Sequence, residues 1–137
     1  MRLTEDEARR RFSTGRVARL AMVDETGQPF LVVVTFAVSG SMVVTAVDQK
    51  PKTTRHLRRL RVIAANPRVS LLVDHYDEDW STLWWVRADG TARILADDVA
   101  EPRALLVAKY SQYRDDPPTG PYIRIDVARW HGWAAAQ

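Results

Sequence analysis

A chain of 137 residues, 46% hydrophobic and 27% charged, has room for one domain (residues 1–137) around a single core, and argues against both a disordered and a membrane-embedded protein. The absence of cysteine excludes disulfides, thiol catalysis and thiolate-held metals. A formal charge of +3 is compatible with a nucleic-acid binder or a small enzyme, but acids gather at 5–7, 74–79, 97–101 and 115–116 and bases between 50 and 68, which suits a compact anionic ligand better than a long duplex.

The opening MRLTEDEARRRF carries acids and lacks the apolar centre of a signal peptide. No apolar run approaches the roughly 20 residues of a membrane helix, so a cytoplasmic location without a membrane partner is expected. Thr4 with Glu7 forms a capping-box pattern that predicts a helix from Glu5 to about Phe12, with Ala8 and Phe12 inward and Gly15 ending it. VARLAMV (17–23) and FLVVVTFAV (30–38) read as strands joined by the hairpin Asp24-Glu25-Thr26-Gly27. SMVVTAV (41–47) follows the Ser39-Gly40 turn. Thr53 or Thr54 then caps a helix in which Leu57, Leu60 and Ile63 or Ala64 recur at helical spacing, ending before Pro67. VSLLVDHY (69–76) is a strand, and LWWVRA (83–88) with TARILA (91–96) reads as a hairpin across Asp89-Gly90. A helix from about Glu101 to Tyr110, a loop over 115–121 and the strand YIRIDVARW (122–130) complete the chain. About seven strands and three helices, without repeated βαβ units, predict a mainly β fold: a closed or half-open antiparallel barrel with flanking helices.

VDQKPKTTRHLRRLR (47–61) holds six cations, and no Asp or Glu occurs from Gln49 to Val73. A strand end, a polar turn and a helix start bring Lys50, Lys52, Thr53, Thr54 and Arg55 to one corner. A phosphate gains there from the helix dipole and from charge-assisted hydrogen bonds. The plainer alternative is a solvated face of basic residues. The stretch is not a P-loop, because its glycines are missing. Trp84 and Trp85 point to opposite faces of a strand, so one fills the barrel while the other serves a second surface. That surface is either a dimer interface or, for one of the indoles, one wall of a planar ring site. His56, His75 and His131 lack metal-ligand spacing, so no metal is expected, and the acids at 74–79 read as a solvated rim. No nucleophile or general base stands out; the catalytic residues are unassigned, which favours cofactor chemistry in any enzyme reading.

The order of these pieces is specific: VARLAMVDETGQPFLVVVTFAVSGSMVVTAV, then KPKTTRHLRRLRVIAANPRVSLLVDHYDEDWSTLWWVRADGTARI and the closing GPYIRIDVARWHGW. Over nearly its whole length the chain resembles the pyridoxamine 5'-phosphate oxidase-like superfamily. More narrowly it is similar to the actinobacterial branch of deazaflavin (coenzyme F-420)-dependent oxidoreductases. The resemblance implies a six- or seven-stranded antiparallel split β-barrel of the FMN-binding type. It also implies a homodimer with cofactor grooves between subunits, no nucleic-acid partner, and hydride transfer between reduced F-420 and a small organic acceptor. By the same resemblance Thr45, Ala46 and Val47 line the cofactor edge, and Lys50, Lys52, Thr53 and Arg55 grip its phosphate. The aromatic hairpin at Trp84-Trp85 approaches from the dimer side, with Trp85 touching the cofactor, and Trp80 reaches the ring or the substrate mouth. The superfamily's helix base falls on Arg59 in this register, in a helix about two turns longer than usual. FMN is the alternative cofactor, and a carrier without turnover is the alternative role. The polyglutamylated tail of F-420 would find partners in Arg55, Arg58 and Arg59. The superfamily's haem branch finds no obvious axial histidine here.

Overall fold

A computed structural model describes residues 1–47 and 58–136 in full and the backbone of 54–57. Among the described residues the chain forms helix α1 (Glu5–Ser13), strands β1 (Ala18–Val23), β2 (Pro29–Val34), β3 (Ala37–Ser39) and β4 (Met42–Ala46), and helix α2 (Thr54–Ala65). Strand β5 (Arg68–His75), a 3-10 turn (Trp80–Thr82), strand β6 (Trp84–Leu95), helices α3 (Ala100–Lys109) and α4 (Gln112–Asp115), and strand β7 (Tyr122–Ala134) follow. The strands form one antiparallel sheet in the order β2-β1-β5-β6-β7-β4-β3, the split barrel that was expected.

Local signals explain most boundaries. Thr4 Oγ1 accepts from the Glu7 amide at the start of α1, while the Glu7 carboxylate turns to Arg10 and Arg11 instead of closing the capping box. Phe12 plugs the barrel, its ring 4.9 Å from Phe36 and 5.2 Å from Trp130. Val43 faces that main core, whereas Met42 and Val44 join Leu106, Tyr110 and Tyr122 in a second cluster beneath α3. β4 is therefore buried on both faces, which is why its sequence is apolar without alternation.

Two expectations need correction. The predicted strand 30–38 is interrupted at Thr35 and Phe36, because the Phe36 amide donates to Tyr110 Oη at 3.1 Å instead of to a strand neighbour. The predicted hairpin at Asp89-Gly90 is absent: β6 runs straight through it, and the sheet register shifts there opposite Ala128 of β7. Gly90 serves close approach, not a turn, since a Cβ placed on it would lie 2.3 Å from the Asp126 carbonyl oxygen. α4 had no forecast, and β7 continues four residues beyond 130. Among the described residues no helix is long and apolar enough to cross a membrane.

Candidate functional site

The corner singled out by charge lies between the end of β4 and the start of α2. On the strand side, Thr45 is buried and its Oγ1 donates to the Thr35 carbonyl at 2.6 Å, closing the gap left between β2 and β3. Val47 is buried in the main core, and its amide donates to the Pro121 carbonyl at 2.9 Å. Both side chains therefore serve the fold. Ala46, half-buried and small, packs against the second cluster and keeps part of its surface open. Lys50, Lys52 and Thr53 lie outside the described residues, as does the proposed Thr53 cap. Arg55 stands in the first turn of α2, with its side chain outside the description.

Farther along α2 the structure separates two arginines that the sequence lists side by side. Arg58 donates from Nη2 to Asp24 Oδ2 at 3.0 Å, and its guanidinium lies 4.7 Å from the centroid of the Phe30 ring. Arg59 is half-buried, with an Nε that is shielded from solvent and has no hydrogen-bond partner. Burial draws its pKa below the ordinary guanidinium value. Among the described residues no carboxylate answers it. A donor held out of water without an acceptor costs free energy, so an anion arriving there is favoured.

The second feature is the outer face of β2-β1-β5-β6-β7. Trp84 packs against the main core, and Trp85 turns outward, aligned with Asp74 on β5 and Trp133 on β7. This is the division expected of the tryptophan pair. One row across the face runs Val33, Arg19, Leu72, Arg87, His131; the next runs Leu31, Ala21, Ser70, Asp89, Arg129. Asp89 is the hub, accepting from Ser70 Oγ at 2.7 Å and Arg87 Nε at 2.9 Å, with His131 Nε2 at 3.6 Å. Burial pushes its pKa up, but the hydrogen bonds from Arg87 and Ser70 outweigh that and hold it below the usual carboxylate value. A groove of about 730 Å³ opens over Arg68, Ser70, Arg87, Asp89 and Arg129. A cleft of about 550 Å³ adjoins it between Trp85, Trp133, His131 and the N-terminal residues. Leu31 and Val33 are 66% and 64% exposed on the same face.

Trp80 stands apart from these features. It opens the 3-10 turn, which Asp79 holds by accepting from the Ser81 amide and hydroxyl, and its indole is 72% exposed. Sequence reasoning missed Asp24 as a partner for α2, and Lys109 as a buried amine. Lys109 Nζ has no hydrogen-bond partner, sits 3.6 Å from the centroid of the Phe36 ring, and has its pKa pulled down to about 8, by burial first and by Arg16 second. Asp24 was visible only as a turn residue, because the cation it binds is 34 residues away. For Lys109 the one signal was its place in the last turn of α3, where a lysine ordinarily faces solvent.

The model of the family described as pyridoxamine 5'-phosphate oxidase matches residues 4–134. Among solved structures, a FAD-binding protein from Mesorhizobium loti superposes with a TM-score of 0.75 at 24% identity, covering 96% of this chain and 93% of that one. The FAD binding protein from Mycobacterium smegmatis gives 0.64 at 16% identity, covering 97% and 96%. HutZ, the heme storage protein from Vibrio cholerae, gives 0.69 at 16% identity, covering 96% and 95%. At these identities the likeness concerns the fold. No curated protein sequence matches the chain.

Proposed function

Because this chain belongs to the pyridoxamine 5'-phosphate oxidase family, we propose that it binds coenzyme F-420 and transfers a hydride between the reduced coenzyme and a small organic acceptor. The observation that carries this reading is Arg59: a half-buried guanidinium whose Nε lacks an acceptor, on a helix whose approach from Gln49 onward contains no acid. Such a group fits a phosphate or carboxylate ligand, and it fits solvent poorly. When bound, the coenzyme supplies the hydride chemistry. The chain would supply the grip: Lys50, Lys52, Thr53, Arg55 and Arg59 for the anionic portion, and Ala46 beside the ring. Arg58 is committed to Asp24, so the tail of F-420 would rely on Arg55 and the exposed Arg61.

In the same reading the protein works as a homodimer, with the outer face of β2-β1-β5 as the contact. Leu31, Val33 and Leu72 are apolar and exposed there, while the charges among them are already satisfied, Arg19 by Asp74 at 3.1 Å and Arg87 by Asp89. A face of this kind can be covered without stranding a charge. Trp85 and Trp133, on the continuation of that face, would then come near a groove shared with the second copy.

FMN is the second reading, favoured by the FAD-binding description of the Mesorhizobium loti and Mycobacterium smegmatis relatives. Mixing the protein with reduced F-420 and a panel of quinone, nitro and enone acceptors tests the enzyme reading. Acceptor-dependent oxidation of the coenzyme is expected. Binding with no oxidation by any acceptor would make the protein a carrier, and binding of FMN alone would favour the second reading.

A further inference from the structure

Asp24 divides its carboxylate between two tasks. Oδ1 accepts from the Thr26 amide at 2.9 Å, the Thr26 hydroxyl at 2.6 Å and the Gln28 amide at 3.0 Å, which builds the β1–β2 hairpin. Oδ2 takes Arg58 of α2 at 3.0 Å, while the stem of that arginine brings its guanidinium over Phe30 of the same hairpin. The side chain of Asp24 is only 8% exposed. Its pKa falls to about 2, first through the Thr26 hydroxyl, with burial opposing and the Gln28 and Thr26 amides and Arg58 adding to the drop. The carboxylate is thus ionised at any ordinary assay pH.

The rest of α2 is anchored elsewhere. Val62 and Ile63 are buried in the main core, and just past the helix the Pro67 carbonyl accepts from the Ala92 amide at 2.7 Å. These contacts fix the C-terminal half. Toward the other end, the Arg58 contact ties the helix to the rigid hairpin, one turn from Arg55 and next to Arg59. An ion pair backed by a ring contact and by a prebuilt turn holds direction as well as distance.

We propose that Asp24 is a positioning residue for the anion site: through Arg58 it fixes the N-terminal half of α2, and so sets where Arg59 meets the ligand, while Arg58 itself touches no ligand. This rests on the reading of an anionic cofactor at α2. The test turns on a sign. Asp24→Asn keeps an acceptor at Oδ1 for the hairpin but faces Arg58 with an NH2 group in place of an oxygen. It also removes a negative charge from the neighbourhood. Acting through charge alone, the substitution would tighten the binding of an anion. Acting through position, it weakens binding, by roughly three- to thirtyfold.

The experiment titrates F-420 and FMN into the wild-type protein, Asp24→Asn and Arg58→Lys, and follows amide hydrogen exchange over α2 in each ligand-free protein. The expected result is weaker binding and faster α2 exchange in Asp24→Asn, with both close to wild type in Arg58→Lys, which keeps an ion pair with Asp24. Equal or tighter binding by Asp24→Asn would overturn the proposal, as would unchanged exchange. If the wild-type protein binds neither compound, the cofactor reading fails by itself, and the exchange data alone decide whether Asp24 pins the helix.

Discussion

The hydroxyl of Tyr110 accepts from the Phe36 amide at 3.1 Å and lies within donating distance of the Phe36 and Arg16 carbonyls, at 3.0 and 2.8 Å. One phenol on the residue capping α3 thereby replaces the strand partners that Phe36 lacks, at the point where the barrel passes from β2 to β3. Burial pushes that phenol's pKa up. Tyr110→Phe leaves the buried Phe36 N–H without an acceptor, and is expected to destabilise the fold by about 1–3 kcal/mol. Urea denaturation checks this; an unchanged midpoint would mean the gap between β2 and β3 is held by other contacts, such as Thr45 on Thr35.

Gly90 gives a second, steric prediction. Its hypothetical Cβ meets the Asp126 carbonyl oxygen at 2.3 Å and backbone atoms at 3.0 Å, with no flexible side chain to yield. Gly90→Ala forces β6 and β7 apart and is expected to cost about 1–3 kcal/mol. Thermal melting measures it. A variant as stable as the parent would show that the register shift relaxes freely.

The proposed dimer face can be tested without touching the core. Leu31 is 66% exposed, so Leu31→Asp is expected to change monomer stability by less than about 0.5 kcal/mol. It is also expected to convert the protein from dimer to monomer by light scattering, with an unchanged circular dichroism spectrum. A wild-type protein that is already monomeric at working concentration would refute the assignment of this face.

Lys109 predicts a pH dependence. Its pKa in the folded protein is about 8 against 10.5 for a free lysine. Between these values the unfolded chain binds the extra proton, so stability rises with pH across that window. At pH 7 the charged amine is held in a desolvated place, with only the ring of Phe36 in partial compensation. Lys109→Met is therefore expected to raise the melting temperature at pH 7, by an amount that shrinks as pH climbs from about 8 towards 10. A variant less stable at pH 7 would show that the ring contact outweighs the burial.

What the amino-acid order made legible was local. The Thr4 cap, the Asp24–Gly27 turn, the Gly40 turn at φ 59° and the end of α2 ahead of Pro67 all fall where short-range chemistry puts them. The failures occur where a distant residue decides. Phe36 leaves its strand because of Tyr110, and Asp89-Gly90 stays extended because β6 pairs through it with β5 on one side and β7 on the other. For the site, the run of bases announced an anion corner, but six adjacent cations look alike in one dimension. Only packing separates Arg58, spent on Asp24, from Arg59, half-buried with an Nε that lacks an acceptor. Alternation put Trp84 and Trp85 on opposite faces, but only packing shows that Trp84 is the inward one, and the exposure of Trp80 depends on how the acidic turn at 77–79 folds.

The central claim is that an anionic redox cofactor is held by the basic corner leading into α2. Its most direct test is a side-by-side titration of F-420 and FMN into the wild-type protein, Lys52→Ala and Arg59→Ala. A charge-assisted contact contributes on the order of 1.5–3 kcal/mol, so each substitution should weaken binding by roughly tenfold or more. Retention of wild-type affinity in both variants would contradict the account.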